Sequence, residues 1–422
     1  MKARRSPRRQ RGAMIVTAAL LLLFLLGFMG IALDFGHLFI VRTELQTAVD
    51  SCALAAAREL DKANSAITRG KSAGQTAGNA NRVNMQSATW GGQGQIVATE
   101  VTFRDASYAP TIDPAAAVYA QCAHSQPNIK MWLMQVIGAL SGDTVGNPAT
   151  RSVAASAVAT RASAQTACPI PVGAKPKPGG TAPNYGFIVG EWVTLIMAQN
   201  AAVGGQIGWA NLDGSNSASE TEAELSGRCG AKVGDTIGTP GVQTSVADVW
   251  NQRFGIYKNS SDPSIVRPDY TGYAYTPLNW PAQFNAYSGP PPGVPAGAQN
   301  FLAKRAAFAS CADTGTKVNG ANSCESITGL SLNSFQKLAN PGNVAGGHMQ
   351  YGMDRRFVTV PVIDGGNHVI DYLCMLMLQP LSIPMTDTQL EFLGNAGAAG
   401  SPCTTSGLAG GSAGPLVPVL VR

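Results

Sequence analysis

One short run has the spacing of a cation site. Asp213-Gly214-Ser215-Asn216-Ser217 spells DxSxS, a carboxylate and two hydroxyls at alternate positions, which suits a hard, oxygen-seeking metal. The residues before it, GQIGWANL, are short on apolar character where a metal-bearing strand would be buried. Ser, Asn, Gly and Asp also gather in ordinary turns. No metal ligands are therefore assigned. The four histidines, His37, His124, His348 and His368, are scattered and form no set by spacing. His348 lies ahead of Asp354-Arg355-Arg356, and His368 ahead of Asp371, which suits ion pairs framing two strands better than an acid–base site. There is no P-loop, no GxSxG, no HExxH and no phosphate-cradling GxGxxG leading into a helix. No catalytic residue and no cofactor follow from the sequence, and the chain is read as a non-enzyme.

Charge and cysteine content narrow the class. The formal net charge is +5, with 30 basic and 25 acidic residues. Six of the 30 basic residues (Lys2, Arg4, Arg5, Arg8, Arg9 and Arg11) precede the first apolar run, which leaves 24 basic against 25 acidic. The remainder is close to neutral and offers no basic face to nucleic acid. Charged residues make up only 13%, while Gly (48) and Pro (26) are plentiful, as in loop-rich, β-containing proteins outside the cytoplasm. All eight cysteines follow the apolar run, without zinc spacing, and an even number reads as disulfides. Loop length and position favour Cys311–Cys324 and Cys374–Cys403 as local pairs.

The elements follow from hydropathy and periodicity. Residues 1–12 are a basic tail on the cytoplasmic side. Residues 13–33, AMIVTAALLLLFLLGFMGIAL, carry no charge and span about 32 Å as a helix, enough for a hydrocarbon core of ~30 Å. A cleaved signal would have a shorter apolar stretch and a small-x-small site, whereas Ala32-Leu33-Asp34 puts an acid there. The basic tail orients the N-terminus toward the cytoplasm. Helix-forming sequence continues to about residue 61, with Leu38, Val41, Leu45, Ala48, Cys52 and Ala55 at spacings of three and four. Arg42, Gln46 and Asp50 make a separate polar row. The small-residue stripe permits close approach of a neighbouring element.

Beyond the helix, residues 62–90 read as a Ser/Gly/Asn-rich loop. Strands are expected at 95–103, 117–122 and 152–161, with a helix at 128–140. A long helix with a small antiparallel sheet over 34–165 is a pilin-like plan. Five prolines between 169 and 183 mark 166–183 as a semi-extended linker. Residues 184–422 read as a β-rich, disulfide-containing exported domain. Its strands are expected at 185–197, 206–212, 356–363, 368–381, 389–393 and 416–421, and its helices near 219–227, 246–257 and 301–312. The fold class is α+β.

The segment RGAMIVTAALLLLFLLGFMGIALDFGHLFIVRTELQTAVDSCALAAAREL resembles the N-terminal part of the TadE/TadG-like proteins of Flp (Tad) pilus assembly. The matching positions are Arg11-Gly12, Asp34, Gly36, Arg42, Leu45, Gln46, Ala48, Asp50 and the alanines 55–57, over about 50 of 422 residues. In size the chain is nearest to TadG. The resemblance implies a single-pass inner-membrane protein with its bulk in the periplasm, a structural or assembly component of an adhesive surface pilus. Its implied partners are other Flp/Tad assembly proteins or pilins. Asp34, Gly36, Arg42, Leu45, Gln46, Ala48, Asp50 and Ala55 would form a partner-contact helix. Prepilin-type processing after Gly12 would put Thr17 where mature pilins carry Glu, which favours an assembly factor over an ordinary pilin subunit. The alternative is an exported hydrolase, or a ligand-binding domain of von Willebrand A type using DxSxS, tethered by a TadG-type anchor.

Overall fold

The structure, a computed structural model, describes residues 11–143, 145, 148–197, 203–227, 229–238, 245–258, 262–291, 299–311, 324–332, 335, 337–339, 346–403 and 408–421. The basic residues 2–9, and parts of the proline-rich stretch before residue 300, lie outside these. The chain is α+β and divides into two units, residues 1–161 with 418–422, and residues 162–417.

Unit 1 is organised by α1 (Arg11–Arg58), a single 48-residue helix about 72 Å long. From Met14 to Met29 its large apolar side chains are exposed, Leu23 at 70% and Phe28 at 63%. From Gly30 onward one face is covered. Val41, Leu45, Ala48, Val49, Cys52, Ala53, Ala56 and Ala57 are all fully buried, the three-and-four rhythm of a helix packed along one side. Three strands pair antiparallel, β1 (Val101–Arg104), β2 (Tyr119–Lys130) and β3 (Thr150–Ser163), and β12 (Leu416–Leu420) joins the outer side of β3. Cys52 on α1 pairs with Cys122 on β2. The register of β2 on β3 shifts between Gln126 and Ile129, around Pro127, which has no N–H to give a ladder. Here the expected helix at 128–140 needs correction: β2 runs on to Lys130, and the helix, α3, is Met134–Ser141.

The expected loop at 62–90 also needs correction, because it contains α2 (Ala66–Asn79). Its sequence, AITRGKSAGQTAGN, is a poor helix former by propensity. Its buried residues are Ala66, Gly70, Gly74 and Gly78, a glycine at every fourth position. A Cβ at Gly74 would come within 3.1 Å of the Cys52 carbonyl oxygen, and one at Gly78 within 3.1 Å of Cys52 Cβ. The glycines let α2 lie directly on the backbone of α1, and that contact offsets the weak propensity. The small-residue stripe of α1 is thus covered by the chain's own α2.

Unit 2 is built on a closed six-stranded barrel. Its strands are β4 (Val172–Ala174), β5 (Trp192–Ile196), β6 (Ile207–Trp209), β9 (Phe357–Ile363), β10 (Val369–Met377) and β11 (Thr388–Asn395). Around the barrel the order is β10-β11-β5-β6-β4-β9, antiparallel except for β5 with β6 and β4 with β9. Val172, Leu195, Ile207, Val360, Leu373, Met375 and Phe392 fill it. The segment expected as a linker, 166–183, therefore holds a barrel strand: Val172, Gly173 and Ala174 are all buried. The prolines stand beside the strand rather than within its ladder. Outside the barrel lie α4 (Ala218–Leu225), α5 (Val246–Gln252), the pair β7 (Ile256–Tyr257) and β8 (Lys337–Leu338), and the short helices α6 (Phe301–Ala306), α7 (Cys324–Thr328) and α8 (Gly346–Tyr351).

Cysteine pairs at disulfide distance in unit 2 are Cys168–Cys229, Cys311–Cys324 and Cys374–Cys403. Buried charge holds the outer loops to the barrel. The Arg356 guanidinium is fully buried between the rings of Phe254 and Phe301, 4.3 and 4.9 Å from their centroids. It donates to the carbonyls of Met377, Thr271, Tyr273 and Leu378. Asp269, also fully buried, accepts from the backbone N–H groups of Arg355 and Arg356.

Candidate functional site along the long helix

Asp34 stands one turn beyond the buried Gly30, and its side chain is fully buried. Its carboxylate accepts from three consecutive backbone N–H groups, Trp132 at 2.9 Å, Leu133 at 2.9 Å and Met134 at 2.6 Å. They belong to the first residue of α3 and the two residues ahead of it, so Asp34 anchors the start of a helix about 100 residues away in sequence. A Cβ at Gly30 would meet Leu133 Cβ at 2.9 Å, so only glycine admits this approach. Three residues past Asp34, His37 stacks on Trp132 with ring centroids 4.8 Å apart, while its Nε2 lies 3.2 Å from Asn84 Oδ1. Together Gly30, Asp34 and His37 form a collar that fixes α3 to the helix at the end of its apolar run.

Farther along, Glu44 receives the backbone N–H groups of Met85 and Gln86 and the Gln86 amide, tying down the loop after α2. Gln46 Nε2 donates to Asp50 Oδ1 at 2.8 Å and to the Ser156 carbonyl at 3.2 Å. Arg42 is exposed. Arg42 and Gln46 border a groove of about 610 Å³ whose other walls are Glu100, His124 and the strand segments 123–125 and 154–156. His124 Nδ1 lies 2.9–3.0 Å from both Glu100 oxygens.

The residues expected to meet a partner thus separate. Asp34, Leu45 and Ala48 are fully buried within unit 1, where they hold α3, the sheet and α2. Gly36, Gln46, Asp50 and Ala55 are half-buried and Arg42 is exposed. Sequence reasoning passed over Trp132, Gly30 and Glu44. The signals in the sequence were an uncharged run around Trp132 and a lone acid directly after the apolar segment.

In unit 2 the DxSxS hydroxyls do not converge. Ser215 Oγ accepts from Asn211, and Ser217 Oγ lies 2.9 Å from Ser219 Oγ. Asp213 instead gathers with Glu220 and Glu224, their oxygens all within 4.8 Å of one another, beside a pocket of about 440 Å³. Three carboxylates at this spacing are what a hard cation would need. Both oxygens of Glu224, however, accept the backbone N–H of Leu212, and one also accepts that of Asp213. Burial raises the Glu224 pKa despite those donors. His348 is buried, with Nδ1 2.8 Å from the Asp269 carbonyl, and burial pushes its pKa down to about 4. His368 is exposed and lies 3.3 Å from Asp364 within one turn. Asp354 pairs with Arg305, and Asp371 accepts from Tyr185 and Asn395.

No curated protein and no solved structure matches the chain. Residues 12–59, almost the exact extent of α1, match the family of putative Flp pilus-assembly TadE/G-like proteins.

Proposed function

We propose that this chain is a single-pass, membrane-anchored structural or assembly component of a Flp/Tad-type pilus that serves surface adhesion. In this reading it sits in a bacterial inner membrane, with the basic tail in the cytoplasm and the residues after the span in the periplasm. The observation that carries it is the coincidence of the family match with one helix, residues 12–59 against α1. That helix is bare and apolar in its first half and forms the core of a folded unit in its second. Six basic residues before the span favour this orientation. Four cysteine pairs suit an oxidising compartment. Partners, other assembly proteins or pilins, would meet Arg42 with Gly36, Gln46, Asp50 and Ala55, the part of the row that the chain's own fold leaves accessible.

The test separates anchor from tether. Exchanging residues 13–29 for an unrelated apolar span of equal length leaves the collar and the folded part of unit 1 untouched. The exchanged protein is expected to fractionate with membranes and to fail in pilus formation. Arg42→Glu, at an exposed site, is expected to do the same without loss of folding. Normal pili in both variants would overturn the reading and place the function in unit 2.

A further inference from the structure

We infer that α3, with Trp132 and Leu133 ahead of it, is a second membrane-contacting element that lies in the outer lipid–water interface beside the span. The inference rests on the reading that α1 crosses a membrane. Residues 131–142, MWLMQVIGALSG, contain no charge. Trp132, Leu133 and Val136 are 48%, 38% and 50% exposed, an apolar patch with Gln135 as the exposed polar residue among them. The patch is continuous with the span. Leu133 rests on Gly30, and the nearby α1 residues Met29 and Leu33 are 55% and 53% exposed. On the same helix Phe35 and Phe39 remain 46% and 65% exposed, which carries the apolar zone to the level of the collar.

Capping points the same way. The first N–H groups of a helix lacking water must find protein acceptors. Here the fully buried Asp34 accepts the N–H of Met134, the first residue of α3, and those of Leu133 and Trp132 just ahead of it. At eight residues α3 is far too short to cross a bilayer, so a position along the interface is the one it fits. A tryptophan at that depth, with an apolar ring and a polar N–H, is the residue enriched there. The occupant of this surface is therefore lipid of the outer leaflet, and the collar sets how far unit 1 stands from it.

The full chain can be reconstituted into vesicles made with or without lipids brominated on the upper acyl carbons, with flotation and tryptophan emission read together. Of the six tryptophans, Trp132 alone is exposed; Trp90, Trp209, Trp250 and Trp280 are buried and Trp192 is half-buried. The expected result is flotation with quenching by brominated lipid, and loss of that quenching in Trp132→Phe. Flotation with no quenching, or with quenching unchanged in Trp132→Phe, would overturn the interfacial helix while leaving the span standing. Failure to float would overturn the span, and the inference with it.

Discussion

At the scale of single residues, two carboxylates stand out because backbone donors converge on them. Asp34 satisfies three N–H groups out of water, and its removal leaves them without partners. Asp34→Ala is expected to destabilise unit 1 by about 2–4 kcal/mol, since each lost partner exposes a desolvation cost. Asp34→Asn, which keeps one acceptor oxygen, should cost less. Urea unfolding in detergent, followed by tryptophan emission, would read both shifts. Glu391 is the counterpart in unit 2: fully buried, it accepts from Trp192 Nε1 and the backbone N–H groups of Ala286 and Tyr287. Burial outweighs these donors and raises its pKa from 4.5 to about 7. A raised carboxyl pKa means the folded state holds the proton more tightly than the unfolded one. Its contribution is therefore full below pH 4.5 and fades as pH rises through about 7. The loss amounts to about 3 kcal/mol between the two limits. Melting of wild type and Glu391→Gln across this range should show a slope that the variant flattens. Equal slopes would show that burial does not raise the Glu391 pKa.

At the scale of elements, the packing of α2 on α1 decides the architecture of unit 1. Gly70, Gly74 and Gly78 do what no larger residue could, placing one backbone on another. Gly74→Val is expected to force the helices apart and cost about 1–3 kcal/mol, the usual range for overpacking. Thr76→Leu, on the exposed side of the same helix, should change stability by less than about 0.5 kcal/mol. A similar loss in both variants would show that side-specific contact is not what holds α2. The polar row of α1 behaves differently along its length. Gln46 and Asp50 are an ordinary i,i+4 hydrogen-bonded pair, so only Arg42 among the three is left without a hydrogen-bond role in the described structure.

Across the whole molecule, an apolar helix and a folded helix are one continuous element, and a separate barrel follows. The carboxylates of unit 2 bear on the alternative of a cation-dependent binding domain. Because backbone N–H groups already occupy Glu224, and the DxSxS hydroxyls bond locally, calcium or magnesium should not raise the melting temperature, and chelator should not lower it. A cation-dependent rise that Asp213→Ala abolished would put the metal-binding reading first.

The amino-acid sequence by itself determined what local physics controls. An uncharged run of 21 residues and a three-and-four apolar rhythm suffice to specify α1, because a helix satisfies its own hydrogen bonds within each turn. Several barrel strands were legible for a similar reason: runs such as Phe357–Ile363 and Val369–Met377 are rich in residues that suit a buried pleat. Only the tertiary structure decided the rest. Helix α2 has a local propensity against it and exists because its glycines meet α1. Strand β4 lies among prolines and is drawn into the barrel by partners far off, Ala174 pairing with Val362. The role of Asp34 depended on residues 98 to 100 positions away, and that of Leu45 and Ala48 on which surface covers them. Sequence spacing shows which face of a helix must be buried; it does not say by what, because the covering surface comes from distant chain.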